Sequence, residues 1–378
     1  SPPRFSFSVN HKNRMWAAGN FASPSRLYYS IGGNPESWTG GDSGSIDIDL
    51  GDGDMITGLA SYKDDLWVFK GPNKLSIHRI TGSAPTGADA FARKIFIRGI
   101  SAAWQNAIFT YGDDLGFMSP SGTIHSLIAT AAFGNYRQSF LSFPIQTWIK
   151  ENFNSLRARY IWATDDPLNG RVVFVFAGSG SSTNNKTIAM DYRFGVDPPT
   201  LYPRWMEWPA FTWASVASVI DSNASNIPRL FSGTYVGRVH KTDQATRTNN
   251  GTTINYQVTP PFLTYGDELH YKTLKAVSLG AMPRTGNAIT FGWTRDGNTQ
   301  QTESITATGG GDLLDSTFIM DTSVLGGGRW VQRYRPTETG GEFRAIQYDL
   351  LEASNNSDVE IHSIGAHLTL SSIGMENV

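Results

Sequence analysis

The stretch Tyr62 to Phe69 returns 49 positions later as Tyr111 to Met118, each copy an aromatic residue, a Lys/Gly-Asp-Asp turn, a Leu and then apolar strand residues. A unit of this length that closes on a β-turn and restarts with aromatics reads as a β-propeller blade. The expected fold class is therefore all-β: a propeller-like domain of about five or six blades with one inserted helix over residues 1–245, followed by a β-sandwich over 246–378. Propellers serve enzymes, lectins and structural rings alike, so the scaffold by itself does not decide function.

Composition agrees with many short strands and narrows the partners. Charged residues are 17% of the 378, aromatics 12%, and there are 39 glycines, a mix suited to turn-bounded strands. A formal net charge of −2 argues against holding nucleic acid by phosphate neutralisation, which needs clustered Lys and Arg. Without cysteine there is no disulfide, thiol nucleophile or thiolate metal site. No run approaches the ~18 apolar residues of a membrane span and no signal peptide is evident, so no membrane anchor is expected. The chain starts at Ser1, and a strand before it would complete the first blade.

Met15 to Asn20 and Arg26 to Ser30 flank a Ser-Pro-Ser turn and read as a hairpin with Trp16 and Tyr28 facing a core. Ile46, Ile48 and Leu50 alternate with Asp47 and Asp49, the period of a half-buried strand. Ile145, Trp148, Ile149, Phe153 and Leu156 fall at helical spacing, with Pro144 at the first turn. Arg171 to Ala177 pairs with Thr187 to Tyr192 across a Gly/Ser/Asn tip at 178–186. The polar run Thr242 to Thr253 is the expected domain boundary, with longer alternating strands beyond it. Gly309 to Gly311 and Gly326 to Gly328 read as turns.

Four clusters bear on chemistry. Asp47, Asp49, Asp52 and Asp54 form a candidate hard-cation site on a Gly-bearing turn, without EF-hand spacing; the alternative is a solvated strand face. Asp64-Asp65 and Asp113-Asp114 offer paired carboxylates for glycoside hydrolysis, yet adjacent strand residues point opposite ways and Asp favours such turns for its local hydrogen bonds. The seven His are scattered, and no nucleophile elbow, Walker loop or dinucleotide fingerprint occurs. Among the eleven Trp, Trp38, Trp205 and Trp208 are the candidates for an exposed ligand-stacking or subunit surface, the rest reading as core. No catalytic residue and no cofactor is expected from these patterns.

The order Arg26-Leu27-Tyr28-Tyr29-Ser30, Pro35-Glu36-Ser37-Trp38, Ile46-Asp47-Ile48-Asp49, Gly51-Asp52-Gly53-Asp54-Met55-Ile56 and Leu66-Trp67-Val68-Phe69-Lys70 resembles tail proteins of tailed bacteriophages of the nozzle, or tail tubular B, type. Phe343 to Gln347 followed by Ile361 to Leu370 is similar to the closing sandwich of such proteins. The resemblance implies a non-enzymatic virion protein of the tail or neck, assembled in the infected host's cytoplasm. It implies a homo-oligomeric, commonly sixfold ring next to an adaptor or portal, through which double-stranded DNA passes without specific binding. Heterologous contacts close such rings. The alternative reading is a virion propeller that binds carbohydrate or hydrolyses glycosides.

Overall fold

A computed structural model of the chain describes residues 3–133, 140–193, 203–209, 211–221, 226–242, 248–249, 252–283, 287–307, 330–334, 342–353 and 359–370. The expected turns at Gly309 to Gly311 and Gly326 to Gly328, and much of the boundary run after Thr242, lie outside them. The chain divides into two units, Ser1–Gln244 and Ala245–Val378.

Among the described residues of the first unit five antiparallel sheets follow one another, each made of consecutive strands with no crossover. Blade 1 holds β1 (Phe7–His11), β2 (Arg14–Ala18), β3 (Arg26–Tyr29) and β4 (Gly44–Asp47). Blade 2 holds β5 (Met55–Tyr62), β6 (Asp65–Gly71), β7 (Ser76–Thr81) and β8 (Ala92–Arg98); blade 3 holds β9 (Ile108–Tyr111), β10 (Asp114–Met118) and β11 (Ile124–Ser126). Two helices follow, α1 (Leu127–Phe133) and α2 (Gln146–Asn152). Blade 4 holds β12 (Trp162–Asp166), β13 (Arg171–Ala177), β14 (Asn184–Asp191) and β15 (Arg204–Glu207), and blade 5 holds β16 (Ser215–Asp221), β17 (Ile227–Gly233) and β18 (Val239–Lys241). First strands neighbour one another: β1 lies beside β5, β9 beside β12 and β12 beside β16.

The repeat that opens the sequence is the hairpin between first and second strands. Tyr62 pairs Asp65 and Tyr111 pairs Asp114, leaving two-residue turns at Lys63-Asp64 and Gly112-Asp113. Lys63 and Gly112 share a φ of 52°, so the left-handed turn persists although the residue changes.

Second strands explain why blades stack. Alternate residues of a strand face opposite sides, and in β6 Leu66 and Val68 enter the core shared with blade 1 while Trp67 and Phe69 enter the core shared with blade 3. In β13 Val172, Phe174 and Phe176 face blade 3's Phe109 and Met118, and Val173 and Val175 face blade 5's Val216 and Leu230. A strand buried on both faces must be apolar at every position, which is why β13 is legible as a continuous run.

Several expectations change. Trp16 is opposite Tyr29, so Tyr29 and not Tyr28 fills the core beside it. β1 and β8 have no counterpart in the sequence reading, and β1 makes blade 1 four-stranded within the chain as it stands. The alternating Ile46 to Leu50 strand stops at Asp47, leaving Ile48 buried and Leu50 exposed. The long helix is broken: α2 ends at extended Phe153, Asn154 Oδ1 accepts the Leu156 N–H to start a 3-10 stretch at Ser155–Tyr160, and Leu156 is 92% exposed. The additional helix α1 is capped by neighbours from blade 3, with Asp114 Oδ1 accepting the Ile128 N–H at 3.1 Å.

The second unit begins with the short pair β19 (Thr248–Asn249) and β20 (Thr252–Thr253). One four-stranded sheet runs β21 (Tyr256–Val258), β27 (Ile346–Glu352), β23 (Asn287–Arg295), β24 (Gln301–Ala307). The other centres on β22 (Lys272–Pro283), flanked by β25 (Trp330–Tyr334), β26 (Glu342–Phe343) and β28 (Val359–Leu370). Leu274, Val277 and Leu279 of β22 share a core with Phe291 and Trp293 of β23 and Tyr348 and Leu350 of β27, the packing of a sandwich. Among the described residues no helix is long and apolar enough to cross a membrane.

Blades 1 and 2 are latched by Lys70, whose side chain is fully buried. Its ammonium donates to the Ile48 carbonyl at 2.6 Å, the Asp49 carbonyl at 3.0 Å, Ser25 Oγ at 3.2 Å and both Asp52 oxygens at 2.8 and 2.9 Å. Removing one member of a buried pair leaves the other uncompensated, so Lys70→Met should lower unfolding free energy by about 3 kcal/mol in urea titrations. Lys70→Met with Asp52→Asn should recover part of that loss; an unchanged midpoint in the single variant would contradict the latch.

Candidate axial site

Four first strands, β5, β9, β12 and β16, line an open cavity of about 490 Å³. Its polar lining is Ser61 from β5, Gln105 from the 3-10 turn before β9, Thr110 from β9, Thr164 and Asp165 from β12, and Ser218 from β16. The side-by-side first strands of four blades bring these groups to one place.

Several of them close strand edges. Gln105 Oε1 accepts the Leu59 N–H at 2.7 Å while its Nε2 donates to the Leu59 carbonyl at 2.9 Å, so one side-chain amide replaces a strand neighbour for β5. Thr164 Oγ1 accepts the Ser218 N–H at 3.2 Å and joins blades 4 and 5. Ser61 Oγ meets His11 Nδ1 at 2.8 Å and joins blades 1 and 2. Burial, then the neighbouring Lys12 charge, pushes the His11 imidazole below its ordinary value, and its buried Nε2 has no hydrogen-bond partner.

Asp165 differs from these. Burial pushes its carboxyl up to about 6, with the adjacent Asp166 charge adding to the rise and the Tyr192 hydroxyl, donating at 3.0 Å, opposing it. The Tyr192 hydroxyl is itself raised, first by burial and then by Asp165. Asp166 is buried with Arg171 Nε at 2.8 Å and Asn169 Nδ2 at 3.0 Å. Asp165 therefore changes charge near neutrality inside a polar cavity, while Asp166 is held by a cation.

The sequence candidates disperse. Asp47 pairs with Arg26 at 2.8 and 3.0 Å on the surface, and that guanidinium holds its carboxyl below the usual range. Burial works against the charge on Asp49, but Arg93 at 2.6 Å, His78 and Arg98 outweigh it. Asp52 takes Lys70, and buried Asp54 accepts the N–H groups of Asn73, Lys74 and Leu75 at 2.7 to 3.1 Å. The structure gives each of the four a separate partner, and among the described residues no group of three or more His, Cys, Asp or Glu converges as metal ligands. Asp65 pairs Arg79 and Asp114 serves Tyr111 and α1, so neither Asp pair forms a facing couple. Trp38 is half-buried near Phe5; Trp205 donates to the Leu141 carbonyl at 3.1 Å, and Trp208 lies edge-on to Trp213 under Arg171. None of the three reaches the cavity. Asp165 had a signal in the sequence: Asp165-Asp166 is the third Asp pair, 52 positions after Asp113.

A cavity with one protonatable carboxyl among hydroxyls and an amide suits a hydroxyl-rich ligand. Glycoside hydrolysis uses two carboxyls, about 5–5.5 Å apart for retention or about 6.5–9.5 Å for inversion, and Asp165 is the carboxyl of the lining.

No family model and no curated protein matches this chain. Among solved structures it is similar to an exo-β-1,3-galactanase of Phanerochaete chrysosporium, 10% identical over 95% of each chain with a TM-score of 0.30. A glycoside hydrolase family 43 arabinoxylan arabinofuranohydrolase of Bacillus subtilis is 10% identical over 93% of this chain and 64% of that one, TM-score 0.24. A bifunctional GH43-CE protein of Bacteroides eggerthii is 10% identical over 92% and 54%, TM-score 0.27. The expectation that the chain is not an enzyme is withdrawn, since the solved structures it is similar to are named as a galactanase, an arabinofuranohydrolase and a GH43-CE protein; at 10% identity and TM-scores of 0.24 to 0.30 the likeness assigns no activity to this chain.

Asp165 and His78 should imprint opposite pH slopes on stability. A carboxyl raised to about 6 contributes stability that is complete below its ordinary value and lost as pH climbs to about 6. His78, lowered by burial to about 4, contributes stability present above about pH 6.5 and lost as pH falls through 4. Urea unfolding from pH 4 to 7 should show Asp165→Asn gaining on wild type as pH rises to 6; parallel curves would refute the assignment.

Proposed function

We propose that the first unit binds carbohydrate in its axial cavity. The observation that supports this reading is Asp165, desolvated and titrating near 6 within a cavity of about 490 Å³ whose other polar groups are Ser61, Gln105, Thr110, Thr164 and Ser218. Pockets of a few hundred Å³ with a few convergent polar groups are the usual form of small-ligand sites, and shifted carboxyls concentrate at such sites. Sugar hydroxyls donate to an ionised carboxyl and accept from a protonated one, so Asp165 serves binding in either state. Binding requires only this pairing.

The closing measurement is a glycan array followed by calorimetry on the best binder. Asp165→Ala should weaken binding about tenfold or more, the loss of a charge-assisted hydrogen bond. Polysaccharide digestion followed by reducing-end detection runs alongside: sugar release abolished in Asp165→Ala extends the reading to hydrolysis. An array without binders, or affinity unchanged in the variant, would sink it.

A second reading, a ring protein of a bacteriophage tail or neck around passing double-stranded DNA, is favoured by where its motif residues fall. Arg26–Tyr29, Ile46–Asp49, Asp52 to Ile56 and Leu66–Lys70 all belong to the junction of blades 1 and 2 that Lys70 latches. Conserving a shared order there would conserve a wall, which is what a ring asks of each copy. Mass photometry should then give a closed oligomer, and electron microscopy of virions should place it on the tail axis with an adaptor or portal; a persistent monomer absent from virions would rule this out.

A further inference from the structure

In an antiparallel sheet of consecutive strands, residues entering a first strand and residues linking second to third strands lie at the same end. Trp104 enters β9 through its 3-10 turn, Arg157, Arg159 and Tyr160 enter β12, Phe21 links β2 to β3 and Tyr235 links β17 to β18. The contacts bear this out: the Arg159 guanidinium sits 4.4 Å from the Trp104 ring and 5.2 Å from Phe21, and Arg157 sits 3.9 Å above Tyr160. The Asn184 side chain donates to the Tyr160 carbonyl at 2.8 Å, and its backbone N–H donates to the Tyr235 hydroxyl at 2.9 Å. Phe21, Tyr160 and Tyr235 are 62, 47 and 58% exposed.

Neither guanidinium makes an ion pair among the described residues, and Arg157 Nε is buried without a hydrogen-bond partner. A guanidinium stacked on a ring spends its face and keeps its edge, where the N–H fork meets a carboxylate in two parallel bonds. Lysine offers no such fork. The exposed rings beside it supply flat apolar surface for the C–H face of a sugar. Phosphodiester chains fit less well, since they are held by many clustered cations and the chain as a whole carries a net charge of −2.

We infer that this end of the propeller binds an acidic polysaccharide, its uronate carboxylates meeting Arg159 and Arg157 and its sugar rings lying on Phe21, Tyr160 and Tyr235. The inference deepens the carbohydrate reading above, on which its ligand class rests, but uses a surface that does not include Asp165.

Calorimetry with an oligogalacturonate, its methyl ester and an oligothymidylate tests it, on wild type, Arg159→Gln, Arg159→Lys and Asp165→Ala. Wild type should bind the free acid about tenfold more tightly than the ester, a preference that shrinks with salt. Arg159→Gln should erase the preference while leaving ester affinity and thermal midpoint unchanged, and Arg159→Lys should restore only part of it. Equal affinity for acid and ester, or no binding of either, overturns the inference. Oligothymidylate bound as tightly as the acid, and lost with it in Arg159→Gln, overturns it in favour of a nucleic-acid surface. Acid preference intact in an Asp165→Ala protein of unchanged ester affinity sustains this surface and removes the axial cavity instead.

Discussion

The amide of Gln105 stands where a strand would be. It accepts from the Leu59 N–H and donates to the Leu59 carbonyl, because a first strand has a ladder partner on one edge only and its other edge faces the axis. Unpaired backbone groups removed from water cost roughly 1–3 kcal/mol each, so every first strand of the propeller must find substitutes. Thr164 takes the Ser218 N–H of β16, Thr57 Oγ1 donates to the Ala102 carbonyl ahead of β9, and the side chains of His11 and Ser61 meet across blades 1 and 2. Between blades 3 and 4 Phe109 packs edge-on to Phe174 and Tyr111 beside Tyr192, aromatic contacts that satisfy no backbone group. Joining blades and satisfying edges coincide at Gln105 and Thr164.

That constraint also determines what the axial cavity is made of. Ser61, Gln105, Thr164 and Ser218 line it because they or their backbones are spent on edges. Their presence there has a structural cause, so the group that sets this lining apart is Asp165. Asp165 has no such task. Its side chain takes the Tyr192 hydroxyl, joins no two first strands, and pays desolvation that lifts it to about 6. A group held at a cost without structural return is where function is most economically sought.

Legibility followed locality. The hairpins at Tyr62 and Tyr111 could be read because turn chemistry is decided within four residues, and β13 because a strand buried on both sides is apolar throughout. β8 could not: its residues are largely exposed edge positions without alternation. The choice between Tyr28 and Tyr29 depended on pairing with β2, which no local pattern encodes. The helical spacing from Ile145 to Leu156 was genuine as far as Phe153, where core packing and the Asn154 hydrogen bond redirected the chain. Asp165 stood in the same Asp-Asp pattern as its predecessors, and its distinction came from neighbours on three other blades.

Asp47, Asp49, Asp52 and Asp166 each lie against a cation and Asp54 against three N–H groups. In sequence they crowd together or pair, which invites a metal or a catalytic couple. In space the nearest opposite charge decides their role, and for two of them that charge comes from strands far along the chain: Arg93 and Arg98 for Asp49, Lys70 for Asp52. The charge of a carboxylate matched this way is met by a cation, whereas Asp165, without a cation partner among the described residues, is pushed up to about 6 by burial. The discriminating quantity among like residues is therefore the missing counter-charge, and it selects the same strand end that the Asp repeat marks in blades 2 and 3.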